Sequence, residues 1–179
     1  MLKPKNKVSK IILPTIDGQE FNTELLKGKK YLISFFRFAT CPFCNLRVHE
    51  LVKRHEEFDK DVSIVAIFDS SVENLKKSTS KHNAPFPVLA DETNKYYKIF
   101  GVKKSLHGML WGMLKRFPSL MKSIIVYGNF PWPINGSLLT MPAEFLIDES
   151  GNIVKAYYGK DEGDHLPIEE IIEFSRNEY

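Results

Sequence analysis

The chain has 179 residues, 43% of them hydrophobic and 26% charged, a length and balance suited to one soluble domain with a sizeable core. Its 25 basic residues against 22 acidic ones leave a formal charge of only +3, far from the concentrated positive field of a nucleic-acid binder, so nucleic acid is not an expected partner. Two cysteines are too few for a disulfide scaffold, and a close pair in a reducing compartment points instead to catalysis or metal binding.

Four lysines fall in the first ten residues (Lys3, Lys5, Lys7, Lys10), but the apolar run Ile11 to Leu13 is too short for a signal peptide; a cytoplasmic location is the expectation. Residues 11–26 read as a hairpin turning at Asp17-Gly18. "KKYLISFFRF" (29–38) is a β-rich apolar run, and residues 42–58 then place Cys44, Val48, Leu51, Val52 and Phe58 at helical spacing. A strand therefore runs into a helix at Cys41.

"VSIVAIF" (62–68) has the continuous apolar character of a strand buried on both faces, and Ser70-x-x-Glu73 offers a capping box for a helix reaching about His82. "FPVLADETNKYYKIFGV" predicts a short strand, an N-cap at Asp91 and a helix ended by Gly101. Residues 105–130 repeat large apolar side chains at helical spacing, and Pro118 splits them into two short helices, because an interior proline removes a hydrogen bond and clashes with the preceding turn. Lys115 and Arg116 interrupt this run well short of the ~18–20 residues a membrane span needs. "AEFLID" and "NIVKAYY" form an antiparallel hairpin across "ESG", and "LPIEEIIEFSR" closes the chain with a helix whose inner face holds Ile168, Ile171 and Ile172. No internal repeat or flexible linker marks a second domain, so residues 1–179 are expected to form a single domain with an insertion at about 102–138.

The two cysteines sit in "RFATCPFCNL", at the junction of strand and helix. There the free N–H groups and macrodipole of the helix favour a thiolate. Pro42 suits the first helical position, which places Cys41 at the cap with an accessible sulfur and Cys44 one turn in, so Cys41 is expected to be the nucleophile and Cys44 its resolving partner. Arg37 is a candidate to add positive potential at the sulfur, and the Thr40 hydroxyl is a candidate hydrogen bond to it. A metal reading needs two further ligands, and His49 points about 140° away from Cys44 around the helix. The bland alternative is two small thiols that simply pack. The histidines are scattered without spacing to Cys41, and no cofactor is implied.

These segments together, "GKKYLISFFRFATCPFCNLRVHEL", "VSIVAIFDSS", "FPVLADETNKYYKIFGV" and "MPAEFLIDESGNIV", resemble the peroxiredoxin-like AhpC/TSA family of the thioredoxin superfamily outside residues 102–138. The resemblance implies an α/β thioredoxin fold, a mixed central sheet with helices on both faces, carrying an N-terminal hairpin, an extra strand and helix, and a helical insertion. It implies a thiol-dependent oxidoreductase in which Cys41 attacks a peroxide or disulfide, Cys44 closes an intramolecular disulfide, and a thioredoxin-like or low-molecular-thiol reductant restores the dithiol. Pro142 matches the cis-proline of thioredoxin-like proteins, whose exposed backbone pairs with an extended substrate.

The sequence makes two departures from the family pattern. Its P-x-x-x-T-x-x-C pattern has Ser34 and Phe38 here, and no arginine stands near the start of the "FLID" strand, leaving Arg37 and Arg47 as the substitutes close to the cysteines. The competing expectation is a non-catalytic thioredoxin-fold binding module that uses the 105–132 surface, a stretch that also fits a cover on the sheet or a homodimer face.

Overall fold

The apolar run after Lys30 becomes strand β3 (Tyr31–Phe35), buried along its whole length, because the computed structural model of residues 1–178 places it at the centre of a five-stranded sheet. Around it lie β4 (Ser63–Phe68), β5 (Val88–Ala90), β6 (Ala143–Ile147) and β7 (Ile153–Tyr158), in the order β5-β4-β3-β6-β7. Strands β5, β4 and β3 run parallel, β6 runs antiparallel to β3, and β7 runs antiparallel to β6. Strands β1 (Ile12–Pro14) and β2 (Glu20–Asn22) form the expected N-terminal hairpin.

Alternation along β3 sends Leu32 to one core and Ile33 and Phe35 to the other. One face carries α1 (Pro42–Lys53), α2 (Val72–Thr79) and α6 (Ile168–Ser175), where Val48, Leu51, Leu75, Ile171 and Ile172 pack with Leu32. The opposite face carries α3 (Lys95–Phe100), whose Tyr97 and Phe100 rings sit 5.0 and 4.9 Å from the Phe35 ring. The insertion folds as α4 (Leu106–Lys115) and α5 (Phe117–Ile125), with Pro118 in the first turn of α5, where its missing N–H costs nothing.

Three local expectations shift. Helix α1 ends at Lys53, and a 3₁₀ turn over His55–Glu57 carries the spacing on to Phe58. The cap of α2 is Ser71, whose Oγ accepts from the Asn74 N–H, rather than Ser70. The reason is that the Asp69 N–H still pairs with the Arg37 carbonyl, which prolongs strand-like pairing past Phe68 and keeps Ser70 buried. The residue at the cap of α3 is Asn94 (φ +56°), yet the Asp91 carboxylate supplies the capping bonds, accepting from the N–H groups of Lys95 at 3.0 Å and Tyr96 at 2.8 Å. Gly101 ends that helix in the left-handed conformation, as its sequence position predicts.

Candidate active site

The site is built where β3 gives way to α1. The Phe36 N–H continues the sheet by pairing with Ile67 O at 2.8 Å, the chain then turns, and the Cys41 N–H returns to Phe38 O at 3.0 Å. Cys41 is extended (φ −60°, ψ 120°) and caps α1: its Sγ accepts from the Cys44 N–H at 3.5 Å. Pro42 follows in the first turn with no N–H to satisfy. Asn45 fixes this turn from behind by donating Nδ2 to Ala39 O at 2.8 Å and Cys41 O at 2.9 Å. Its Oδ1 accepts from His82 Nε2 at 2.8 Å, an assignment set by the direction of the Asn45 bonds. His82, with its pKa pushed down to about 4 by burial and then by Lys81 and His49, stays neutral in that role.

Both cysteines are free thiols and fully buried. Burial pushes the Cys41 pKa up, but hydrogen bonding from the Cys44 thiol, the Arg37 charge and the N–H groups of Cys44 and Phe43 outweigh it and bring it down to about 7. Cys44 goes the other way: burial, its hydrogen bond to Cys41 and the charge of Cys41 hold its thiol well above the ordinary range. The pair is thus divided into a thiolate at Cys41 and a proton donor at Cys44, the arrangement expected of nucleophile and resolving thiol.

Arg37 supplies the cation. Its Nη1 lies 3.8 Å from Cys41 Sγ, its Nη2 donates to Leu138 O, and its own backbone N–H donates to Cys44 Sγ at 3.3 Å. The guanidinium stacks 5.4 Å from the centroid of Phe38, the residue that replaces the family threonine. Arg47, the other substitute in sequence, does not face the sulfurs. It is held by Glu144 at 3.3 Å and Glu50 at 2.7 Å.

Three expectations are corrected. Cys41 does not present an accessible sulfur; it is 0% exposed, because the segment 133–138 lies over the junction. The Thr40 hydroxyl does not reach that sulfur but donates to Pro133 O at 2.8 Å, tying down the cover. Pro142 does not follow a cis bond. Among the described residues the cis peptide is Trp132–Pro133, whereas Met141–Pro142 is trans. The chain enters β6 already extended and paired, with the Met141 N–H on Lys103 O at 2.8 Å and the Pro142 carbonyl on the Gly159 N–H at 2.9 Å. The Met141 N–H and the Pro142 carbonyl are thus already paired within the fold.

Asp69, at the end of β4, organises the cover and was not legible as a site residue. Its carboxylate accepts from the Ser137 N–H at 3.0 Å, Asn94 Nδ2 at 2.7 Å and Thr140 Oγ1 at 3.4 Å. Gly136 (φ +126°) lets the cover approach, since a Cβ there would meet Asp69 O and the Phe38 side chain. Deeper in the fold, Glu144 gathers Ser34 Oγ (2.9 Å), the Leu166 N–H (2.7 Å), Arg47 and His165 Nδ1 (3.3 Å). Burial pushes the Glu144 pKa up, yet Arg47, His165 and Ser34 hold the carboxyl down at about 2. Ser34 therefore stands at the family's proline position as a ligand of this buried carboxylate. No group of three or more residues able to hold a metal occurs among the described residues.

Comparison with known proteins fits this geometry. Peroxiredoxin Q, chloroplastic, of Sedum lineare is 31% identical over 97 residues, 54% of this chain and 52% of that protein. Peroxiredoxin Bcp of Escherichia coli is 28% identical over 123 residues, 67% of this chain and 79% of that one. The match thus spans about half the length of the chloroplastic relative. The crystal structure of peroxidoxin BcpB from Mycobacterium tuberculosis superposes with a TM-score of 0.72 at 17% identity, covering 99% of this chain and 98% of that one, a likeness of fold. A model of the AhpC/TSA family matches residues 4–156. Spanning both core faces and the cysteine pair, that match places the chain in the AhpC/TSA family, on the thioredoxin fold of the peroxiredoxins.

Proposed function

We propose that the protein is a thiol-dependent peroxidase acting on small peroxides, with Cys41 as the attacking and Cys44 as the resolving residue. The observation that carries this reading is the Arg37 guanidinium 3.8 Å from a Cys41 sulfur whose pKa is brought down to about 7. A cation at that place keeps the nucleophile ionised and stands where negative charge moves as the O–O bond breaks. The relatives' names, peroxiredoxin Q and peroxiredoxin Bcp, agree with it.

In the first step the Cys41 thiolate attacks one peroxide oxygen, the O–O bond breaks, and the leaving oxygen takes a proton from solvent as an alcohol or water. Cys41 becomes a sulfenic acid, oxidised by two electrons. That product is neutral, so the charge that held the Cys44 thiol protonated is gone. Cys44 then attacks the Cys41 sulfur, an S–S bond forms and water departs. Two thiols of a thioredoxin-like protein or a low-molecular thiol return the pair to the reduced state by exchange.

Burial favours a peroxide over a protein disulfide as the oxidant. A sulfur with 0% exposure, under a cover tied down at Pro133 and Leu138, suits a molecule of a few atoms. A module that only binds a partner would have no use for a buried thiolate held by an arginine. We further read residues 1–179 as one thioredoxin-like domain in a reducing, cytoplasm-like compartment, in keeping with two free cysteines.

The test is consumption of hydrogen peroxide with dithiothreitol as the reductant. The wild-type chain is expected to turn over and Cys41→Ser to fall to the uncatalysed background. Equal rates for the two would overturn the assignment of Cys41.

A further inference from the structure

From Thr93 to Ala143 the chain carries seven basic residues and no Asp or Glu, so this stretch is more positive than the whole chain at +3. Within it, α4 turns its bulky face outward. Gly108 and Gly112 are the buried positions, because a Cβ at the first would run into the Lys160 carbonyl and one at the second into the Glu162 carboxyl. The opposite face repeats Leu106, Leu110 and Met113 at i, i+4 and i+7, with exposures of 58%, 53% and 45%, and Phe117, 56% exposed, follows at the start of α5. A helix on a soluble surface ordinarily does the reverse. Both tryptophans of the chain, Trp111 and Trp132, lie in the same stretch and are exposed, and so are Lys115 and Lys122.

We propose that this face is a peripheral membrane-binding surface whose partner is an anionic lipid bilayer. Short helices with leucine and aromatic side chains on one face and lysines alongside lie in the interface between headgroups and acyl chains, and tryptophan is enriched at that depth. No helix is long and apolar enough to cross a membrane among the described residues, so the helices lie on the bilayer. The charge distribution decides against a second copy as the occupant. Arg116 is already paired with Asp161 at 2.5 Å, but two such faces brought together would oppose the exposed Lys115 and Lys122 with no Asp or Glu on α4 or α5 to pair them, whereas anionic headgroups supply that charge. The surface continues into the cover of Cys41 through Pro133 and Leu138, so docking takes place beside the sulfur.

The experiment uses the reduced full chain with vesicles of phosphatidylcholine alone and of phosphatidylcholine mixed with phosphatidylglycerol, read by co-sedimentation and by tryptophan emission. Binding to the mixed vesicles with a blue shift is expected, with at least about tenfold weaker binding to phosphatidylcholine alone. It should be lost in about 1 M salt, where the screening length falls to about 3 Å. The double variant Leu114→Glu, Lys122→Glu alters two exposed side chains and is expected to weaken binding at least about tenfold while keeping the wild-type circular dichroism spectrum and melting temperature. Absence of binding to the mixed vesicles at low salt, equal binding by a folded variant, or a wild-type dimer in sedimentation equilibrium that the variant dissociates would each overturn the proposal.

Discussion

Arg37 addresses both sulfurs of the site: its Nη1 lies 3.8 Å from Cys41 Sγ, and its backbone N–H donates to Cys44 Sγ at 3.3 Å. The side chain acts on the charge of one cysteine while the backbone fixes the place of the other. The two functions can be separated by mutation.

Arg37→Gln keeps the backbone bond and removes the cation. The thiolate midpoint of Cys41, followed by ultraviolet absorbance against pH, is expected to rise from about 7 toward the ordinary value of 9.0. Alkylation at pH 7 should slow by at least about tenfold, because less of the thiol is ionised. An unchanged midpoint would mean that the helix terminus and Cys44 suffice without the guanidinium.

Thr40 holds the cover shut through its bond to Pro133 O, so Thr40→Val is expected to expose the sulfur rather than to weaken its chemistry. Loss of one hydrogen bond worth about 1 kcal/mol should speed iodoacetamide labelling of Cys41 about fivefold through easier local opening. The midpoint of the thiolate titration should stay where it is. A shift in that midpoint would show that Thr40 acts on the sulfur itself.

Cys44→Ser removes the resolving sulfur. One equivalent of hydrogen peroxide should then leave a sulfenic acid on Cys41, seen by mass spectrometry as one added oxygen and trapped by dimedone. In the wild type the same treatment should remove two hydrogens instead, as the disulfide closes. A wild-type product carrying the added oxygen would contradict resolution by Cys44.

Glu144 links stability to pH. Its carboxyl is held at about 2 in the folded chain against 4.5 in its absence, so the folded state loses its advantage as pH falls through that window and keeps it above. The difference corresponds to about 3 kcal/mol, and the urea midpoint should drop steeply between pH 4.5 and about 2. Glu144→Gln should flatten that dependence and cost about 3 kcal/mol at pH 7, because it leaves the buried Arg47 charge with only the half-exposed Glu50 to pair it.

Much of this architecture is legible in the sequence because it rests on local rules. Periodicity places β3, β4 and α1, Pro118 divides the insertion, and Gly101 closes α3. The cysteine pair is legible for the same reason, since a proline after Cys41 and apolar spacing after Cys44 mark a helix start. What escapes is set by contacts between distant residues. Thr40 meets Pro133 across 93 positions and Ser34 meets Glu144 across 110, so neither the buried sulfur nor the meaning of the serine could be read locally. The cap at Ser71 escaped for a related reason, as the pairing of Asp69 with Arg37 decides where α2 begins. Pro142 misled because proline before a strand is common to cis and trans geometries, and the trans one here goes with the pairing of Met141 to Lys103 and of Pro142 to Gly159.

The central claim is that Cys41 is a peroxide-attacking thiolate, and its most direct test is the rate at which the reduced protein loses thiols on rapid mixing with one equivalent of hydrogen peroxide. The account predicts loss of both thiols at pH 7 at least about a hundredfold faster than free cysteine reacts, with Cys41→Ser losing the fast phase. A rate no greater than that of free cysteine would contradict it.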